Sequence, residues 1–485
     1  MQTPGPRWPL AVSLAALAAV PCCMASDTAT GSTRAVGSPP ESELTPSSER
    51  LAHGALLYTT SQVVYSGFLI FFMQVGFVAL ETGSGRAKNV RNILLKNLVD
   101  VMLAAICWWA VGYAFAYGTS AGGVIGYTHF FFEAEGEATR PWFFSWTFCV
   151  AACTIVSGCL AERTRLVVYP AFTFVIAAFV HPLLVHWVWS PDSWLGRVSA
   201  CRPLDFAGGT VVHMIGGLFG IVGAAFVGPR LGRFEGGSVK DLPGHDMGWV
   251  TIGTLALWFG WYGFNTGSTY LLGPPSPVAA QRAAMNTTLG ASSSGLVSLL
   301  LGSWIGGTYD LRLCCNGVLS GLVTVTAMCG FVDPYAAAVC GAIAGAAYIG
   351  FSRLMLKAGI DDPLDSGAVH FGNGLLGTMM LAFFAKPDHV AALAGSECGG
   401  IFYTSRGWLQ LGMQALVVTI VTVVAGLAAL AVFGGLRRFH LLRVDVSTEL
   451  AGLDNMEHGG PAYEWHATAG PPLDNGLHVS GGLQR

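Results

Sequence analysis

Charge is scarce in this sequence. Lysine and arginine number 25 and aspartate and glutamate 28, together 11% of 485 residues. With 53% hydrophobic residues and a mean hydropathy of +0.55, the chain is excluded from the water-soluble globules, in which about a quarter of residues are charged. No basic cluster of the kind that tracks a phosphate backbone occurs, so no nucleic-acid partner is expected. The 12 cysteines lack the spacing of a metal site,. Most of them, Cys107, Cys149, Cys153, Cys159, Cys329 and Cys340 among them, lie in apolar runs, where a thiol is a small hydrophobe,. No metal, cofactor or catalytic residue is expected, and no enzyme activity. These exclusions leave a polytopic membrane protein surrounded by a lipid bilayer.

Glycine, by contrast, is abundant at 64 residues, which suits closely packed membrane helices,. Apolar runs near the length a bilayer needs fall at 55–80, 94–117, 141–161, 166–189, 206–228, 249–272, 283–304, 315–332, 335–356, 367–385 and 407–435,. The expected fold is therefore all-α, with eleven transmembrane helices. Five precede the 229–248 loop, five run to 385 and one is left over, which reads as an inverted five-plus-five repeat with a final helix.

Residues 1–26 read as a secretory signal peptide, the alternative being an uncleaved extra span, and 27–54 as a disordered extracellular tail,. The membrane domain is placed at 55–436 and a cytoplasmic regulatory tail at 437–485. Arg86, Lys88, Arg91, Arg163, Arg165, Arg230, Arg233, Lys240, Arg312, Arg353, Lys357, Arg437, Arg438 and Arg443 crowd one set of loops, while the other holds only Arg140, Arg197, Arg202, Arg282, Lys386 and Arg406. The first set is cytoplasmic by the positive-inside rule, so the N-terminus lies outside and the C-terminus inside. Cys201 and Cys398 both fall in outer loops. They are the candidates for a disulfide, for which a sequence does not supply the necessary Cα separation.

One histidine, His213, stands in an apolar, glycine-laden helix, where an ionisable group is costly and usually functional,. Gly209, Gly216 and Gly220 share its stripe at helical spacing. The pattern recurs: Asp205 precedes His213 by the same interval as Asp362 precedes His370, with Gly367, Gly374 and Gly377 on the second stripe. If the two helices enter from opposite faces, each imidazole lies about 12 Å in at about 1.5 Å per residue. In a hydrocarbon core of about 30 Å they then meet near the midplane. Asp205 and Asp362 also read as N-caps of their helices. His181 and His186 read as helix-packing residues.

The motifs Gly85-Arg86-Ala87-Lys88-Asn89, Ala161-Glu162-Arg163, His186-Trp187-Val188-Trp189-Ser190-Pro191, Asp205 to His213, Phe259 to Asn265 and Asp361-Asp362-Pro363 occur in order over about 55 to 465. On these residues the chain resembles the ammonium transporter family, on its Amt/Mep side. The resemblance implies a homotrimer in the plasma membrane, serving nitrogen uptake, with ammonium or ammonia as substrate and a pore in each subunit. It also implies that Trp189, Phe148 and Ser268 form an outer recruitment site, with Phe148 and Phe264 as a stacked gate beneath it. His213 and His370 would line the pore as a hydrogen-bonded pair, and Asp205 would order the outer site without touching the substrate.

Elementary chemistry fits that assignment. Aromatic faces attract a small cation and a serine hydroxyl accepts one of its hydrogen bonds. Such a site rejects potassium poorly, so selectivity has to come deeper, where ammonium can shed its proton and potassium has nothing to shed. Two other readings stand beside this one. Gly290 to Gly295 faintly suggests a serine intramembrane protease, although small residues there also suit close packing. A sensor role would act through the tail, whose Gly452-Leu453-Asp454 and Glu457 to Tyr463 resemble the family's ordered tail.

Overall fold

The computed structural model describes residues 46–132, 141–272 and 276–463. The chain divides into two units, 1–53 and 54–485. In the first, helix is described from Pro46 onward; the second holds the helical bundle. The signal peptide, almost all of the expected extracellular tail and residues 464–485 lie outside the described residues.

The main helices are α1 Pro46–Ser84, α2 Ala87–Tyr117, α3 Trp142–Leu160, α4 Val168–Trp189 and α5 Gly209–Val227. They continue with α6 Met247–Leu272, α7 Pro277–Gly306, α8 Leu311–Thr326, α9 Pro334–Lys357 and α10 Gly367–Phe384. A short α11 Pro387–Ala394 leads to α12 Gly407–Arg438, and the tail carries α13 Val446–Ala451 and α14 Leu453–Glu457. Two antiparallel pairs of two-residue strands, Ser120–Ala121 with Ile125–Gly126 and Phe234–Glu235 with Ser238–Val239, are the sheet among the described residues. Nine of the described helices are long and apolar enough to cross a bilayer. Outside those nine stand α6, with 26 residues, and the shorter α8, with 16.

The expected spans fall on these helices with displaced ends, each for a local reason. The second begins at Ala87 and not at 94, because the tail satisfies its first amides: the Asp454 carboxylate accepts from the amides of Arg91 at 2.9 Å and Asn92 at 3.0 Å. The seventh begins at Pro277, where Ser276 caps the Ala279 amide. Arg282, counted as an outer-loop charge, is thereby within the helix and donates to the Gly330 carbonyl at 2.9 Å. The eighth ends at Thr326 and not at 332. Beyond it the carbonyls of Thr326 and Ala327 accept from Ala207 and Phe206, which pins the approach to α5 against the end of α8.

Asn286, which heads an acceptor sequence for glycosylation, is fully buried and donates to the carbonyls of Cys329 and Val332. Cys201 and Cys398 form a disulfide with Cα atoms 5.6 Å apart. It ties the loop before α5 to the loop before α12.

Four helices contain π-turns, at Trp108–Gly112, Ile176–Val180, Gly209–Met214 and Gly367–Gly372. The second precedes Pro182, which has no amide to continue the ladder. The last two open α5 and α10 and carry His213 and His370.

Candidate functional site

Asp205 builds the start of α5. Its carboxylate accepts from the amides of Gly208, Gly209, Thr210 and Val211 at 2.9, 2.7, 2.8 and 3.3 Å, and from the Thr210 hydroxyl at 2.5 Å. Gly208 sits at φ 102°, a left-handed conformation that favours glycine,. Its carbonyl receives both the Val212 and the His213 amide. Burial raises the Asp205 carboxyl above its ordinary range, and the Thr210 and glycine donors pull it back. The Asp205 carbonyl accepts from the Trp189 indole at 2.7 Å, a main-chain bond between the start of α5 and that ring. Asp362 repeats the cap on α10, accepting from the amides of Leu364 at 3.3 Å and Gly367 at 2.7 Å.

From Trp189 inward the rings form a continuous column. Trp189 meets Phe148 edge-on at 5.7 Å, Phe148 overlies Phe264 at 4.2 Å, and Phe264 lies 5.7 Å from His213. His213 and His370 are near-parallel at 5.2 Å, with Nδ1 to Nδ1 at 3.1 Å. Such a bond needs one donor and one acceptor nitrogen, so both rings are never protonated at Nδ1 together. Phe148, Phe264, His213 and His370 are exposed by 2%, 0%, 1% and 6%.

Cavities lie at both ends of this column. The one at the Trp189 end, about 130 Å³, is lined by Trp189, Asp205, Arg202 and Phe331 among others. Arg202 turns its guanidinium to the carbonyls of Ser190 and Pro191. At the His370 end a cavity of about 20 Å³ touches His370, and a larger one of about 240 Å³ opens among Arg230, Arg312, Asp362 and Asp365.

The structure therefore brings Trp189, Phe148, Phe264, His213 and His370 into contact in that order. The Ser268 hydroxyl donates to the Phe264 carbonyl at 2.9 Å, a bond within its own helix that does not by itself bring it to Trp189 or Phe148. Phe144 packs on Phe148 at 4.9 Å and extends the aromatic cluster. His181 and His186 hold the carbonyls of Val211 and Ala116, a packing role as expected.

Sequence reasoning missed Trp261 as a site residue. It lies near-parallel to His213 at 5.2 Å and donates to the Thr326 hydroxyl at 2.7 Å. The signal was available, since Trp261 stands three residues before Phe264 and so on the same helix face,.

On the opposite side from Trp189 a salt-bridge network ties the halves. Arg230 grips Asp361 at 2.8 and 3.0 Å, Arg233 reaches it at 3.2 Å, and Glu162 receives Arg86 at 2.5 Å. Burial alone would raise the Asp361 carboxyl, but the hydrogen bonds and charge of Arg230 hold it at about 2. Burial, with the Asp365 charge beside it, pushes Asp362 up to about 6. The tail docks here: Lys88 donates to the carbonyls of Glu449 and Leu450, and the Glu449 carboxylate takes the Leu231 amide and Arg443.

A family model described as Ammonium Transporter Family matches residues 62–463. Ammonium transporter 3 of Dictyostelium discoideum is 38% identical over 409 residues, covering 83% of this chain and 94% of that protein. Ammonium transporter 1 member 3 of Solanum lycopersicum is 37% identical over 424 residues, covering 83% and 92%. Among solved structures, one titled Sensor Amt Protein is 33% identical with a TM-score of 0.75, covering 82% of this chain and 98% of that one. Mep2 of Candida albicans is 26% identical with a TM-score of 0.73, covering 80% and 86%.

Proposed function

The chain belongs to the Ammonium Transporter Family, and we propose that it moves ammonium across a membrane through a hydrophobic pore in each subunit. Ammonium is recruited at the outer site of Trp189, Phe148 and Ser268, gives up a proton, and passes the Phe148–Phe264 gate and the His213–His370 pair as ammonia. The bundle has eleven spans in an inverted five-plus-five arrangement with a final helix. It works as a homotrimer in the plasma membrane, with the N-terminus outside and the C-terminus in the cytoplasm.

The single observation that carries this reading is the hydrogen-bonded histidine pair sealed directly beneath two overlying phenyl rings. An ion entering that dry stretch loses its hydration at a cost of several kcal/mol. Ammonium avoids the cost by leaving its proton behind, and a neutral imidazole can hydrogen-bond the ammonia that remains. Potassium has no such escape.

The test is uptake of ammonium and labelled methylammonium into reconstituted vesicles, with potassium as competitor and as alternative substrate. His213→Asp and His370→Glu should each admit potassium at a rate the parent does not reach. Potassium flux equal to that of the parent in both variants overturns the selectivity mechanism.

A second reading, an ammonium sensor that signals through its tail, draws support from the docking of Asp454 on α2 and of Lys88 on α13. These contacts support reading residues 437–485 as a regulatory segment in either case.

A further inference from the structure

Three arginines and a histidine gather where α12 ends. A cavity of about 340 Å³ opens there, lined by Arg165, Arg437, His440 and Arg443, with Phe226 and Leu442 among its apolar members. None of these residues belongs to the ring column. Backbone contacts hold the walls in place: the Arg165 amide donates to the Leu442 carbonyl at 3.2 Å, and the Val444 amide to the Arg163 carbonyl at 3.1 Å. Arg165 Nε adds a bond to the Arg443 carbonyl at 3.0 Å. The chain after α12 is thereby stitched to the loop before α4. Arg443 reaches the end of α5 through the Val227 carbonyl at 3.0 Å, and Arg437 lies over the Phe226 ring at 5.9 Å.

Positive charge is left over here. Glu449 takes Arg443 at 2.7 Å, whereas Asp445, which faces Arg165 at 3.8 Å, is itself 78% exposed and contributes little,. Arg437 has no ion-pair partner among the described residues. The place is also a membrane surface. With 32 residues, α12 is about 48 Å long at about 1.5 Å per residue and overruns a hydrocarbon core of about 30 Å into the headgroup layer,. Phe439 and Leu441, 72% and 39% exposed, flank His440. Apolar side chains exposed beside a basic set enter the acyl boundary. The helix itself stops on a left-handed residue, past which the Leu441 amide returns to the Leu436 carbonyl at 2.9 Å. Glycine is usual at such a stop. Here it is His440 at φ 57°, and a strained position kept for an imidazole points to a use for the ring,.

We propose that this pocket binds a phosphoinositide, a lipid whose headgroup carries phosphate monoesters, from the leaflet at the α12 end. Basic pockets between transmembrane helices on the cytoplasmic side suit such heads, and the proposed orientation puts this end in the cytoplasm. A phosphodiester lipid brings a single negative charge, which Arg437 alone would match. Each phosphate monoester brings close to two, with three acceptor oxygens, and guanidinium forks bind such oxygens in pairs. Three arginines and an imidazole therefore fit a head with more than one phosphate. The acyl chains run back along α12 from Phe439 and Leu441.

The test uses full-length protein in a neutral detergent, titrated with phosphatidylinositol bisphosphate, with phosphatidylserine and with soluble inositol trisphosphate. Native mass spectrometry counts what is bound. The parent should hold the bisphosphate lipid at least tenfold more tightly than phosphatidylserine. Inositol trisphosphate, which has the phosphates but no acyl chains, should bind at least tenfold more weakly than the lipid. Arg165→Gln together with Arg437→Gln should lower retention of the bisphosphate lipid at least tenfold.

The same spectra report assembly. If the double variant does not assemble, Arg437→Gln alone changes an exposed side chain and should lower retention about threefold. Phosphatidylserine held as tightly as the bisphosphate lipid overturns the proposal, as does parental retention in whichever variant assembles. Inositol trisphosphate held as tightly as the lipid overturns a lipid as the occupant. Binding is read here without transport, so each of these failures leaves the proposed function standing.

Discussion

Asp205→Ala should sharply reduce transport although Asp205 is not one of the stacked rings. The substitution strands four amides and one hydroxyl that now converge on one carboxylate. A buried donor left without its charged partner costs about 1–3 kcal/mol. The outer cavity borders Asp205 and lets water replace some of these bonds, so the net loss should be about 4 kcal/mol. Asp205→Asn keeps an acceptor oxygen but turns an NH₂ group toward the amides, and should lose about 2 kcal/mol. In both, the turn at Gly209–Met214 that carries His213 loosens, and transport should fall at least tenfold. Thermal unfolding of purified protein measures the first effect and methylammonium uptake per molecule at the surface the second. An Asp205→Asn protein as stable and as active as the parent would refute the claim that this carboxylate builds the start of α5.

Replacing Cys201 and Cys398 together by serine should lower stability by about 2–5 kcal/mol, because the bridge joins positions 197 residues apart,; unchanged unfolding with and without reductant would contradict that. Asp361 has a folded-state value of about 2, below the ordinary 3.8 of a free carboxyl. Its contribution, on the order of 2 kcal/mol, is therefore present above pH 4 or so and lost as pH falls through about 2. Asp361→Asn should be less stable than the parent at pH 7 and converge with it in strong acid, which unfolding followed across pH checks. Asp454→Ala uncaps the amides of Arg91 and Asn92 and should cost about 1 kcal/mol locally. It should speed proteolysis of the tail and change flux per molecule at the surface, and equal flux after deletion of residues 446–485 would remove the regulatory role.

The interval from Asp205 to His213 and its echo at Asp362 and His370 were legible because both depend on a few residues close in sequence, where a cap and a helix period decide the geometry. Features that depend on distant partners were not. Lys96 and Glu81 belong to different helices, and no spacing within one helix pairs them. The start of α2 lay hidden because its capping carboxylate, Asp454, is in the tail. The meeting of Cys201 and Cys398 stayed open for the same reason. The π-turns at Gly209 and Gly367 were illegible in a different way: apolar periodicity assumes 3.6 residues per turn and is blind to a wider opening turn.

The glycines show what that blindness concealed. Gly216 and Gly220, the stripe chosen by helical spacing, face α3, where an added Cβ would meet Ala152, Ile155 and Cys159. The approach to α10 belongs to Gly217, four residues past His213, where a Cβ would collide with the backbone of Phe371. Gly374, four past His370, stands in the same relation to the Gly209 carbonyl and Met214. Gly209 faces Gly374, His213 faces His370 and Ile221 faces Gly367, so residue numbers rise on one helix as they fall on the other. The two helices are therefore antiparallel and cross at the histidines. Each needs a residue without a side chain one turn beyond its own imidazole, because only then do the backbones close far enough for Nδ1 to reach Nδ1 at 3.1 Å,. The pairing of the rings is thus decided by backbone approach, with both imidazoles buried where the two helices close on each other.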